Sequence, residues 1–301
     1  MIKLSELLEE YELELNLRKV SYSTRNNYIR YLRRFITFIG DKDIEDVSNK
    51  EARHFIKHLQ AEGFKSKTVN LAATAIRGMF TYAEEEDYLD ANPIKIKKVK
   101  ETDVKEIHLF TESELIRLMQ YNKRSRLYTK FRDHCIILTF IDTGIRANEL
   151  INIELDDVAD DYIRIEVTKN SKPRLAPMSN TLKKALIKLS RLRTAYFDSI
   201  DKNPSDYLYV SRTGKKLHRA NVNDIIIKAC RACDISREKA YPHLLRHSFA
   251  CYTMKNTQNI YLTSKLLGHS STNITELYLR GIQGDDIVEM AKSFVSENLR
   301  D

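Results

Sequence analysis

The 301-residue chain has no apolar run that approaches the roughly 18 residues of a membrane-spanning helix. Cysteine is scarce as well, with four residues, Cys135, Cys230, Cys233 and Cys251. A chain of this length builds its cores without staples, so no disulfide framework is required. Cys230 and Cys233 form a CxxC, but NVNDIIIKACRAC reads as one helix and no second Cys or His pair stands at zinc spacing. Reduced core thiols are the expectation. The eight glycines include none in a GxxxxGK(S/T) loop, which excludes that phosphate-cradling nucleotide site. The opening MIKLSELLEEYELELNLRK is amphipathic and acid-rich, unlike a secretory signal, and a cytoplasmic location is expected.

Charge, by contrast, is plentiful in both signs. There are 50 Lys and Arg against 42 Asp and Glu, for a net charge of +8 and an isoelectric point near 9.1. Such an excess lies in patches rather than in a tail, and it favours a polyanionic partner.

Length allows two domains. Residues 1–92 read as helices only. Ser23 opens a segment in which Tyr28, Leu32, Phe35, Ile36 and Ile39 keep helical spacing. Ser48 and Glu51 form a capping box for NKEARHFIKHLQAE, which Gly63 stops. A further helix starts near Lys67, and Asn92-Pro93 closes the unit. Residues 93–109 are polar, basic in their first half (IKIKKVK) and without a period, which predicts a linker. Thr111 and Glu114 form a second capping box, and residues 110–301 make up the second domain. Helices dominate there too, except over DYIRIEVTKNSKPRLAPMS. In that stretch Ile163, Ile165 and Val167 alternate with polar residues, KNSKP turns, and a short strand carries Arg174, Leu175 and Ala176, so a β-hairpin is expected with Lys169 at its tip.

The segment YPHLLRHSFACYT, residues 241–253, carries the first chemical signal. Pro242 marks a helix start that makes His243 and Arg246 neighbours at i, i+3. Leu245, Phe249 and Tyr252 fall on one side, with His243 and Arg246 roughly opposite and free to meet an anion. Beside this segment stand TGIRANEL with Arg146, the hairpin with Lys169, and LLGHSSTNITELY with His269 and Tyr278 nine residues apart.

In order these residues read Arg, Lys, His-x-x-Arg, His, Tyr. From Thr111 to Tyr278 the chain resembles the catalytic domain of the tyrosine site-specific recombinases, the integrase and Xer-type family. The N-terminal helices resemble that family's core-site DNA-binding domain by length, helix content and position. The resemblance implies a mainly α protein: a SAM-like helical core-binding domain, then a mixed α+β catalytic domain, mostly helical with a small antiparallel hairpin. It also implies that the domains clamp duplex DNA from opposite sides, with IKIKKVK crossing the phosphates; a merely solvated linker explains that segment nearly as well.

Transesterification of a phosphodiester needs a nucleophile, neutralisation of a phosphorane and a proton for the leaving 5′ oxygen. Tyrosine supplies the first once cations lower its pKa from about 10. Arg146 and Arg246 fit the second, each fork binding two non-bridging oxygens. His243 and His269 either add hydrogen bonds to those oxygens or move protons. By resemblance Tyr278 is the nucleophile, Lys169 the general acid, and Glu149 the carboxylate that holds Arg146. Asn170 stands where the family usually has glycine, but it tolerates a left-handed turn. Lys172 and Arg174 compete with Lys169 for its role, which counting back from Arg174-Leu175-Ala176-Pro177 assigns to Lys169. Leu279-Arg280 replaces the more usual Thr-His-like pair. These roles are complete without a metal, and because the phosphotyrosine conserves the bond energy no nucleotide cofactor is expected.

Other features have plainer readings. His54 and His58 are spaced like zinc ligands but lack a third, so a solvated or DNA-facing helix is expected. Asp156, Asp157, Asp160 and Asp161 invite a two-metal reading, yet carboxylates before a hairpin fit a solvated loop. His247 reads as a structural neighbour of His243. GDDIVEMAKSFVSENLR is an amphipathic tail helix that either docks on a neighbouring protomer, as in relatives, or folds back on its own domain. Helix begins within a few residues of the N-terminus, leaving no room for an arm-binding domain and favouring a simple Xer-like, resolvase or transposon-encoded enzyme. The expected partners are double-stranded recombination sites and three further copies in a tetramer, with accessory DNA-bending or directionality proteins left open and no membrane. Two rivals share the basic charge: a type IB topoisomerase and a non-catalytic architectural DNA-binding protein.

Overall fold

The computed structural model describes residues 2–100, 108–166 and 173–268. The chain divides into two compact units, Met1–Lys105 and Glu106–Asp301.

The first unit is built from α1 (Leu4–Leu17), α2 (Tyr22–Ile39), α3 (Asn49–Ala61) and α4 (Ser66–Glu85). Leu4, Leu7, Leu8, Tyr11 and Leu15 recur at helical spacing on α1 and are buried, so α1 seals one side of the core formed by Leu32, Phe35, Phe55, Leu59, Ile76 and Phe80. The capping box at Ser48 and Glu51 forms as expected. Helix α2 starts two residues earlier than Ser23 suggests, because Ser21 accepts the Thr24 amide and is the real N-cap.

The first half of the expected linker packs on this unit. Ile94 and Ile96 are buried in its core while Lys95 and Lys97 face solvent. The Lys95 amide donates to Asn49 Oδ1 at 2.9 Å, and Asn70 pairs with the backbone of Val99 in both directions at 2.8 and 2.9 Å. The period in this segment is two, and only two residues long on its apolar side.

The second unit forms around α6 (Tyr128–Thr143), against which α5 (Glu112–Gln120), α8 (Asn180–Ser199), α9 (Arg219–Ala232) and α10 (Pro242–Thr257) pack. A helix covered on all sides needs apolar residues all round. Phe131, Cys135, Ile136, Ile137, Leu138 and Phe140 provide them. The Thr111–Glu114 capping box opens α5. Between α6 and α8 lie the short α7 (Ala147–Leu150) and the antiparallel pair β1 (Tyr162–Ile165) and β2 (Arg174–Pro177), in register Tyr162 opposite Pro177 and Ile165 opposite Arg174. Helix α11 (Ile260–Leu267) follows α10. The four cysteines are free thiols, three of them buried. No helix among the described residues is long and apolar enough to cross a membrane. Lys169, Lys172, His269, Tyr278 and the tail helix lie outside the described residues.

Candidate active site

Helix α6 ends at Gly144, in the left-handed conformation at φ 57°. A Cβ there would lie 2.3 Å from the Phe249 ring of α10, so glycine is required both by the backbone and by that close approach. The turn delivers Arg146 to the N-terminus of α7.

Glu149 organises this end. Its side chain is 1% exposed and accepts from the Arg146 amide at 2.9 Å, from the Arg146 guanidinium at 2.8 Å, and from both terminal nitrogens of Arg174 at 3.1 and 2.7 Å. Burial pushes its pKa up, but the bonds and charge of Arg174 and the bonds from Arg146 outweigh that and hold it at about 2. The folded value is depressed, so this stabilisation is present above the unfolded carboxylate value and is lost as pH falls toward 2. Urea unfolding of wild type is therefore expected to lose about 1 kcal/mol per pH unit between pH 4.5 and 3 that the Glu149→Gln variant does not lose. Parallel stability curves for the two proteins would refute this account.

Pro242 occupies the first turn of α10, as expected. The two residues expected to form a basic face on this helix differ in burial. His243 is exposed, whereas Arg246 is fully buried. Helix α10 is enclosed on most sides, with Leu244, Leu245, Ser248, Ala250 and Cys251 buried as well. A buried guanidinium needs compensating acceptors. The Gly144 carbonyl after α6 and the Leu267 carbonyl at the end of α11 each accept from Arg246 at 2.7 Å. Both sit where helix dipoles present negative ends, which favours a cation. Two anchors fix the plane of the fork.

His247 meets His243 edge to face, with ring centroids 4.7 Å apart. Burial, then the charges of His243 and Arg246, lower its pKa to about 4. It is neutral at neutral pH, in keeping with a packing role.

Arg146, His243 and Arg246 all line one cavity of about 420 Å³, together with Asn148, Arg219 and Tyr241. No carboxylate lines it among the described residues. Asn223, one turn after Arg219 on α9, also reaches it. Arg219 and Asn223 stand at i, i+4 on α9, a spacing that puts both on one face of the helix. Arg174 does not reach the cavity lining. Its guanidinium is taken by Glu149 and, through Nε at 2.9 Å, by the Leu266 carbonyl.

The other candidates are not among the residues lining this cavity. His54 and His58 are exposed on α3, with His58 stacked on Phe38 at 4.9 Å. Asp157 caps the backbone at Glu154, and Asp161 pairs with Lys183 at 3.1 Å on the surface.

Residues 108–282 match the phage integrase family, and residues 7–90 match the N-terminal SAM-like domain of phage integrases. The chain belongs to the phage integrase family. A phage integrase family member of this kind is a tyrosine site-specific recombinase, an enzyme that cuts and rejoins DNA through a tyrosine-linked intermediate. Among its relatives, tyrosine recombinase XerA of Thermococcus kodakarensis is 28% identical over 278 residues, covering 92% of this chain and 91% of that protein. The fold is that of family structures. XerH bound to palindromic difH substrate in a post-cleavage complex aligns over 97% of this chain and 84% of its own, with a TM-score of 0.75 and 20% identity. A λ integrase tetramer bound to a Holliday junction aligns over 94% and 80%, with a TM-score of 0.72 and 20% identity. Membership favours site-specific recombination over general supercoil relaxation or a purely architectural role.

Proposed function

We propose that the cavity of Arg146, His243 and Arg246 receives the scissile phosphate of a double-stranded recombination site. The observation that carries this reading is that three guanidiniums, of Arg146, Arg219 and Arg246, and the His243 imidazole, from three segments of the chain, line one cavity without a carboxylate among the described residues. Such a lining suits a phosphorane, whose charge grows in the transition state. Tyr278 attacks phosphorus, forming a 3′-phosphotyrosyl bond, and the 5′ oxygen leaves with a proton from Lys169. His243 and His269 assist at the non-bridging oxygens. The 5′ hydroxyl of another strand then attacks the phosphotyrosine and restores a phosphodiester.

The working form is a tetramer on two duplexes, joined through the tail helix. Residues 1–92 grip the core site, 93–109 cross the backbone and 110–301 perform the chemistry. Integration, excision or resolution is the outcome, set by site arrangement and by accessory DNA-bending or directionality proteins, in the cytoplasm. The test is incubation with nicked duplexes from the chain's own replicon in EDTA. A covalent adduct on a denaturing gel is expected, since arginines rather than metal ions neutralise the phosphate. Adduct formation only after adding a divalent cation would overturn this mechanism.

A further inference from the structure

Strand β2 reverses the usual alternation. Arg174 and Ala176 point inward, while Leu175 is 53% exposed. Burying a guanidinium costs several kcal/mol unless it is paired, so a leucine facing solvent beside an inward arginine marks a position held for something other than apolar packing. The compensation is complete in kind: two bonds to Glu149 and one to the Leu266 carbonyl.

These three bonds tie together three pieces of the second unit. Through Glu149, Arg174 shares a carboxylate with Arg146. Through Leu266 it holds the last turn of α11, whose next carbonyl, Leu267, anchors Arg246. Gly268 completes the fit. Its φ is 65°, and a Cβ there would lie 2.9 Å from Arg174 Cδ and 3.0 Å from its terminal nitrogen. Along the chain, Lys169 precedes Arg174 by five residues, and His269 follows Leu266 by three.

We propose that Arg174 is a positioning residue for strand cleavage. It sets Arg146 through Glu149 and sets Arg246 through the end of α11. It does this without touching the phosphate. Arg174 is not the general acid: a guanidinium stays charged at any working pH, and its three nitrogens are engaged by Glu149 and Leu266. The inference rests on the recombinase reading of the cavity.

The experiment is single-turnover cleavage of nicked duplexes by wild type, Arg174→Lys and Gly268→Ala. One substrate carries the ordinary scissile phosphate and the other a 5′-bridging sulfur, which leaves without a proton. Circular dichroism and DNA affinity are measured alongside. Lysine keeps the charge but not the planar fork, and an alanine at 268 displaces the arginine without altering it. Both variants are expected to bind DNA as wild type does and to reach full adduct yield, with a rate constant lower by about 10²-fold on either substrate, the scale of an ångström-sized misplacement. A wild-type rate constant with reduced yield would mean a merely structural role and overturn the proposal. A deficit that disappears on the sulfur substrate would make Arg174 a proton donor and overturn it equally. No adduct with wild type would instead remove the recombinase reading beneath it.

Discussion

Tyr278→Phe is expected to remove all covalent protein–DNA adduct and to leave DNA affinity unchanged. The substitution deletes one oxygen and keeps the ring, so packing and charge are conserved and only bond formation is lost. Phosphate contacts from lysines and arginines supply most affinity for DNA, and none of these is altered. Gel shift and denaturing electrophoresis of the same reactions separate the two effects. An adduct that survives in the phenylalanine variant would move the nucleophile to another of the 16 tyrosines. A parallel loss of binding would show that Tyr278 holds the complex together rather than reacting.

Replacement of Arg246 is expected to cost activity and stability by different amounts, depending on what takes its place. In Arg246→Ala the carbonyls of Gly144 and Leu267 lose a buried donor. At roughly 1–3 kcal/mol for each unsatisfied buried group, unfolding becomes easier by about 2 kcal/mol or more. Arg246→Lys keeps the charge and reaches one carbonyl, so most of that stability returns. The planar fork does not return, and cleavage is expected to fall on the order of 10² to 10³, the typical effect of losing one transition-state donor. Urea unfolding and single-turnover cleavage of both variants decide the matter. If Arg246→Lys cleaves at the wild-type rate, the guanidinium is a structural strut and the phosphate is held elsewhere.

Helix positions were largely legible from local signals. The capping boxes at Ser48 and Thr111 and the proline at 242 act within one turn of chain, so a sequence pattern states them directly. Ser21 displaced Ser23 as the cap of α2 because several hydroxyl residues compete there, and only backbone geometry selects between them. Residues 93–100 read as a linker because Ile94 and Ile96 alone carry their burial, and the partners that hold them, Asn49 and Asn70, lie 46 and 29 residues away in sequence.

For the site, the resemblance to the tyrosine recombinases in order and spacing singled out Arg146, Lys169, His243, Arg246, His269 and Tyr278. Transesterification demands a nucleophile, cations and an acid, which these residue types can supply. What the sequence left undecided was how Arg246 and Arg174 are held. A helical wheel places His243 and Arg246 on one face, yet one is exposed and the other buried, because α6 and α11 bring their terminal carbonyls to Arg246 from 102 and 21 residues away. Arg174 has the charge of a rival acid in the sequence, and only the folded chain sets Glu149 between it and Arg146. The residue types that react are written in the chain itself. Their burial, and hence their electrostatics, depends on neighbours that only tertiary packing brings within hydrogen-bond distance.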